Sequence, residues 1–544
     1  MTIAAALGLC IALLIVYLLV TVGRRGSKLP PGPPTLPIIG NLHQIPTSFT
    51  HLKIAEWAKQ YGDIFSLKLG PATAVVLTSP RLVKTLVDKK SNIYSHRPTS
   101  YIGYDVISQG DHLLLMQYSD KWRECRKLVH QFFMESVVVK NHLALVDAEA
   151  VQLVRDFIEE PASHMRHPKR FSNSIIMSLG KFFPWARRHP VFGTRTPDLS
   201  ASHMKRLYDL MKDWSGVLEF GNAPPVDVFP FIKYLPERLF GNWRARAHGV
   251  SKQMNGLHEE WLNNVVERRK SQGSRNCFMD HALDRKESGK LSLDRHALYF
   301  LGGTLMEGGS DTTATALIAF IHAVTKWPEV INKAQSQIDS VVGEDRSPTW
   351  EDYAQLPYVA ACVKETLRWR PAVPLGFPHV VGEDDTVDGM RIPKGSQIFI
   401  NAFGIQHDPS RFADPDRFDP ERYVGVKQLA SELANGDWEN RDHYAYGAGR
   451  RLCPGIHLAE RSLFLAMAKL LWGLNIEPGV DAANRVIDPD VSHERAYTSG
   501  LLVCARDYPC RISPRSQARK DTIMREFDLA TAEVFARYSD DGAW

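Results

Sequence analysis

The chain has 544 residues, 44% of them hydrophobic and 23% charged, which excludes a disordered or low-complexity protein because that much apolar material offsets the entropy of ordering. A formal charge of only +5, with no dense basic stripe, argues against nucleic acid as a partner. Seven cysteines, few and odd in number, argue against a disulfide framework and for a reducing compartment with one thiol kept for chemistry.

In chain order, the first element is residues 3–22, an uncharged run long enough as a helix to span the ~30 Å of a bilayer's hydrocarbon core. Only Met1 and Thr2 precede it, while Arg24, Arg25 and Lys28 follow. That pattern predicts a single-pass anchor with the rest of the chain cytosolic, and it is not the pattern of a cleaved signal peptide. Residues 23–46 form a basic, proline-rich hinge. Pro30, Pro31, Pro33, Pro34 and Pro37 cannot continue a helix, so a stiff extended connector is expected. An amphipathic helix follows over 51–61, then a hairpin over 63–78 broken at Gly70-Pro71. Beyond about residue 120 helical periodicity dominates. No solenoid repeat and no Ser/Gly linker divides the body, so 47–515 reads as one domain and 516–544 as a C-terminal tail. Within the body, 221–243 interrupts two helical stretches. Its apolar tip of Val228, Phe229, Phe231, Ile232, Tyr234 and Leu235 beside Lys233 fits either a buried loop or a second membrane contact.

Four separated motifs carry the chemistry. The strongest is His443 to Glu460, a glycine-rich loop leading to Cys453 and then an apolar helix. Gly447 and Gly449 begin a dinucleotide fingerprint, but Leu452 stands where its third glycine belongs. No second cysteine or histidine lies at zinc spacing in front of Cys453. Most lone loop cysteines are inert. A thiolate on haem iron is the reading that explains glycines, arginines and cysteine together, with helix-terminal N–H groups favouring the anionic sulfur. Arg451 is then placed to pair a haem propionate. In the second motif, Lys364 to Arg368, Glu365 and Arg368 share a helix face, as many surface pairs do. In the third, Gly302 to Phe320, Gly308 and Gly309 interrupt a helical pattern at about 1 kcal/mol each. Either tight helix packing or a notch for a ligand must offset that. Asp311 and Thr312 follow directly. In the fourth, Lys121 to Arg126, Trp122 and Arg126 lie one turn apart.

Tyr446-Gly-Ala-Gly449-Arg-Arg451-Leu-Cys453-Pro-Gly455 resembles the cysteine loop of cytochrome P-450 enzymes, with Tyr446 where the family usually has Phe. The resemblance implies a mainly α fold with small β-sheets behind one N-terminal transmembrane helix. It implies haem b, with Cys453 as the axial iron ligand. Trp122, Arg126, His379 and Arg451 match the family's propionate contacts, and Tyr446, Gly449 and Gly455 belong to the loop around the thiolate. Glu365, Arg368 and Arg422 match a buried charged triad that supports the loop. Asp311 and Thr312 match an acid–alcohol pair for proton delivery. The co-substrates implied are O2 and electrons from NADPH through a cytochrome reductase, with a cytochrome b-type protein as a second candidate donor. Arg123, Lys127 and Arg450 are candidates for a basic docking face. The implied location is the endoplasmic reticulum membrane.

The phrases YSHRPTSYIGYD, LMEGGSDT and GRRLCPGIHLAERSLFLAMAKLLWG are similar to those of fungal patulin-pathway hydroxylases acting on m-cresol and m-hydroxybenzyl alcohol. That similarity implies a small aromatic, polyketide-derived substrate, lined by Tyr101 to Met116, Leu305 to Gly309 and Val373 to Phe377. One stretch departs from these relatives. Residues 180–190, GKFFPWARRHP, intervene where they run on directly, as an extra surface loop or as misassigned intron. Two other functions stay open: a reductase-independent haem-thiolate isomerase or dehydratase, and a non-enzymatic haem sensor. The acid–alcohol pair speaks against the first, and the long body with its notch against the second.

Overall fold

The helix Arg295–Lys326 is apolar on every side over most of its length, the pattern of a helix buried all round. In the computed structural model, which describes residues 3–178, 191–218 and 223–538, it forms the axis of the body. Asp294 caps it, its carboxylate accepting from the N–H of Ala297 at 2.7 Å. Around it pack His167–Ser178, Trp243–Gln272, Ile456–Gly473 and Pro357–Trp369. One hydrophobic core runs through all of them.

The β component is small. Strands β1 (Ile64–Leu69) and β2 (Ala72–Leu77) form the expected hairpin about Gly70-Pro71, with Ile64 opposite Leu77. The distant strands β3 (His379–Val380) and β6 (Gln397–Ile400) complete this sheet in the order β1-β2-β6-β3. Strands β4 (Asp385–Val387) and β5 (Met390–Ile392) make one separate pair, and β7 (Leu474–Pro478) and β8 (Cys510–Pro514) another. The sheet has its own apolar cluster. The mainly helical fold with small sheets agrees with the sequence reading.

At the N-terminus Ile3–Thr21 is helical and uncharged, and Ile3, Leu7, Leu13 and Tyr17 are exposed. Among the described residues no helix is long and apolar enough to cross a membrane. The predicted span at 3–22 is therefore taken up below as part of the functional proposal. The proline-rich hinge is docked on the body. Arg25 donates to the carbonyls of Gly32 and Pro33 at 2.7 and 2.8 Å and to the Ser66 hydroxyl at 3.0 Å. Asn41 donates to the carbonyls of Pro33 and Pro34 and accepts from the Lys68 N–H at 2.8 Å. Proline carbonyls that no regular structure can use thus find donors on and beside β1.

The two readings of the 221–243 tip divide between its residues. Ile232 is buried and Phe229 packs on the core, but Phe231, Tyr234, Leu235 and Leu239 are exposed. Beyond residue 515 the chain is more than a tail: Gln517–Glu533 is a helix docked through Arg519 on Asp339 and Glu344 at 2.8 and 3.1 Å. The departure at 180–190 lies outside the described residues.

Candidate active site

The cysteine loop is held by its own backbone. The Cys453 N–H donates to the Tyr446 carbonyl at 2.9 Å, and the Leu452 N–H to that of Gly449 at 3.0 Å. Gly449 has φ +64°, and a Cβ there would lie 2.4 Å from the Val87 carbonyl oxygen, so only glycine fits. The Gly449 N–H donates to Asp88 Oδ1 at 2.7 Å. Cys453 sits just ahead of the helix Ile456–Gly473, with Gly455 as N-cap. Burial pushes its thiol up, while the Gly455 N–H and the Arg126 charge pull it down. Tyr446 is packed against the loop, and its buried hydroxyl has no hydrogen-bond partner among the described residues.

Above this loop three guanidinium groups crowd together. Arg126, on the helix Asp120–Phe133, donates to the Leu452 carbonyl. Arg451 donates to the carbonyls of Ser95 and Met116 at 3.0 and 2.7 Å and lies 4.2 Å over the Trp122 ring. Arg97 donates to the carbonyls of Leu114, Phe377 and Pro378 at 2.7–2.9 Å. Burial lowers all three, Arg97 to about 9, and Arg97 and Arg126 beside it add to the burial that brings Arg451 to about 8. Among the described residues none of the three has a carboxylate within ion-pair distance. Buried cations without counter-charge are costly, so the cluster is built for an anionic ligand. His379 joins it, with Nδ1 2.8 Å from the Tyr94 carbonyl. Burial and the charges of Arg97 and Arg451 keep this imidazole neutral, near 3. An anion arriving there would reverse that field.

The central helix resolves the two readings of its glycines. Cβ atoms on Gly302, Gly303 and Gly309 would lie 2.7, 2.2 and 2.2 Å from Phe192, His258 and Ile176, so these three serve helix packing. Gly308 alone of the four has nothing within 4 Å, and it is exposed in the midst of a buried helix. One turn on, the Thr312 hydroxyl donates to the Gly308 carbonyl at 2.8 Å, which leaves its oxygen lone pairs free to accept. Burial pushes the Asp311 carboxyl up, with Lys169 opposing.

Three comparisons with known proteins bear on this arrangement. The family model for cytochrome P450 matches residues 30–493. The chain belongs to the cytochrome P450 family. It is 51% identical to the cytochrome P450 monooxygenase patH of Aspergillus clavatus, over 95% of each chain. It is 47% identical to patI of the same fungus, over 95% of this chain and 94% of that one, and 48% to macC of Penicillium terrestre, over 95% of each. A zebrafish cytochrome P450 structure with abiraterone superposes on 86% of this chain and 100% of its own with a TM-score of 0.65, at 22% identity, which speaks to fold alone. The chain is thus a cytochrome P450 monooxygenase of a fungal secondary-metabolite group. The family carries haem and uses O2, reducing equivalents from a redox partner and small-molecule substrates. The unpaired arginine cluster, the positive-φ cradle at Gly449 and the open face at Gly308 all fit such a group.

The structure brings Glu365, Arg368 and Arg422 together. Arg368 grips Glu365 with two hydrogen bonds of 2.6 and 2.7 Å, both side chains fully buried, and Arg422 Nε lies 3.5 Å from the same carboxylate. Its link to the cysteine loop runs through Gln406, whose amide donates to the carbonyls of Leu367 and Arg368 and accepts from the Tyr444 N–H at 2.7 Å. Sequence reasoning missed three participants. Lys364, inside the second motif, pairs with Asp442 at 3.0 Å and approaches Glu460 at 3.6 Å, tying helix to loop a second time. Arg97 lies in the YSHRPTS phrase but carried no motif of its own. Glu307, one residue before Gly308, is buried at 2.8 Å from His112 and 3.3 Å from His258, holding down the end of the segment expected to line the pocket. The remaining part of that segment begins with Tyr101–Ile107, capped by Ser100 and covered by Lys233 at 3.8 Å over the Tyr101 ring.

Proposed function

We propose that this P450 is a membrane-anchored, haem b-dependent monooxygenase that hydroxylates or further oxidises a small aromatic, polyketide-derived secondary metabolite. The observation that carries the reading is Gly308, an exposed glycine with nothing within 4 Å of its Cβ position, set one turn before Thr312, whose neighbour in the chain is the acid Asp311. Haem b, when ligated by the Cys453 thiolate, supplies the activation of dioxygen for insertion of one oxygen atom into a C–H bond. The chain's own residues do the rest. Arg97, Arg126, Arg451 and Trp122 would hold the haem propionates, with His379 beside them. The Gly455 N–H and the Arg126 charge favour the anionic sulfur. Thr312, its proton committed to the Gly308 carbonyl, accepts hydrogen bonds and orders water above the site. Asp311, pushed toward neutrality by burial, holds and passes protons to that water. Glu365, Arg368 and Arg422 keep the cysteine loop in place.

Electrons come from NADPH through a cytochrome reductase, with a cytochrome b-type donor as a second source. Arg123 and Arg450 both flank the Tyr118 ring, at 5.7 and 5.3 Å, and with Lys127 offer this partner a basic face. Residues 3–22 anchor the chain in the endoplasmic reticulum membrane, 23–46 form the hinge and 47–515 the catalytic domain in the cytosol. The helix Ile3–Thr21 rises about 28 Å at 1.5 Å per residue. The exposed side chains of Phe231, Tyr234 and Leu239 supply a second lipid contact. The substrate class rests on the similarity of the phrases LMEGGSDT and GRRLCPGIHLAERSLFLAMAKLLWG to those of fungal patulin-pathway hydroxylases.

Thr312→Ala tests the relay. In reconstituted enzyme NADPH consumption should persist while product falls about 10²-fold or more, the low end of the 10²–10⁴ span of general acid–base contributions. The missing electrons should appear as hydrogen peroxide. Unchanged coupling removes Thr312 from proton delivery. Product formed without NADPH would favour the isomerase reading.

A further inference from the structure

Away from the haem site, His407, Asp416 and His493 each bring one ligand atom within 4.8 Å of the others. They come from three separate segments: the end of the short helix Ala402–Gln406, the loop after it, and the connection between β7 and β8. His493 Nε2 lies 2.9 Å from Asp416 Oδ1, and His407 Nε2 lies 4.0 Å from the same oxygen.

His407 is the telling member. It is 9% exposed, and its ring stacks on Phe403 with centroids 3.9 Å apart. Its Nδ1 lies 3.0 Å from the Phe403 carbonyl oxygen. A carbonyl only accepts, so Nδ1 carries the proton and Nε2 presents a lone pair. That buried Nε2 has no hydrogen-bond partner among the described residues, and it faces the other two groups. A backbone carbonyl that fixes the far ring nitrogen is the device that orients metal-binding histidines.

We propose that His407, Asp416 and His493 form a binding site for a divalent cation of the zinc class, completed by water. Two imidazoles and one carboxylate suit zinc better than magnesium or calcium. Tetrahedral bonds of about 2.0–2.1 Å place ligand atoms roughly 3.3 Å apart. The observed 2.9 and 4.0 Å bracket that spacing. The cation takes the place of the Nε2 proton that His493 now directs at Asp416; that proton leaves to solvent as Nδ1 takes one up from solvent, so the ring binds as a neutral imidazole. A cleft of about 510 Å³, lined by Asp416 and His493, gives the ion and its water an entry path. Arg370 borders the cleft and repels a cation. Its guanidinium donates to the Trp369 and Val491 carbonyls at 3.0 and 2.8 Å, and the cleft wall sets the carboxylates of Asp416, Asp488 and Asp490 against the cations Lys326, Arg370 and Arg495. The bound ion pins the loop whose carbonyls at Pro415, Asp416 and Arg417 accept from Arg368 and Trp369.

The test uses the haem-loaded full chain, equilibrated by dialysis against micromolar free Zn2+, with zinc and iron per chain measured by mass spectrometry. The unaltered protein should hold one more zinc than His493→Gln or Asp416→Asn. Both variants lie outside the haem machinery, so their iron content and carbon monoxide spectrum should match the unaltered protein, which separates a lost site from a lost fold. Equal zinc in all three proteins, or no zinc on the unaltered one, overturns the proposal. Should both variants lose haem, His493→Asn and Asp416→Glu take their place, the second expected to retain zinc.

Discussion

Replacing Cys453 by alanine abolishes the red-shifted carbon monoxide band of reduced thiolate haem and all monooxygenation. The physical reason is local. Cys453 stands at the head of a helix, beneath a cluster of guanidinium charges that have no counter-ion of their own among the described residues. The remaining described cysteines cannot substitute. Cys125, Cys277 and Cys362 are buried in apolar surroundings that push their thiols to about 12 or beyond. Haem can still enter the alanine variant through the arginine cluster, so the variant should retain bound haem with an altered spectrum. A thiolate-type band surviving in Cys453→Ala removes it as ligand.

Glu365→Ala should leave almost no haem-loaded protein. Removing one partner of a fully buried ion pair costs about 3–5 kcal/mol, a large share of the roughly 5–15 kcal/mol that holds a domain together. Here the lost carboxylate also accepts the Asp419 N–H at 2.8 Å and faces Arg422, so the damage spreads to the loop carrying both. The same helix reaches the cysteine loop through Gln406 and Lys364, and loosening it should show first as lost haem and then as lost fold. Iron content and thermal melting of the variant check this. Normal haem loading and an unshifted melting temperature would mean that the triad does not support the loop.

Much of the site was legible because its residues stand in short local patterns. The cysteine loop needs glycine at a left-handed position against Val87, and Trp122 with Arg126, or Glu365 with Arg368, are spaced by one helical turn. What stayed hidden depends on contacts between distant segments. Arg97 became visible only when folding stacked its charge beside Arg126 and Arg451. Lys364 was read as part of a motif, but its partners Asp442 and Glu460 lie far along the chain. The two glycines of GGSD look equivalent in sequence, and only the packing of Ile176 shows that Gly309 is structural while Gly308 is open. The proline hinge was read as a stiff extended connector, and nothing local shows that Arg25 and Asn41 tie it to the sheet. The tail helix carries its docking residues, Arg519 and Glu526, without any pattern that announces the partners Asp339, Glu344 and Ser347.

The central claim is that this chain inserts an atom of dioxygen using electrons from a reductase. The direct measurement is a turnover in 18O2 by full-length protein in membranes with an NADPH-cytochrome reductase, using m-cresol and m-hydroxybenzyl alcohol as substrates. The account predicts hydroxylated product carrying one 18O atom and strictly dependent on NADPH; product that carries no label from dioxygen, or that forms without NADPH, would contradict it.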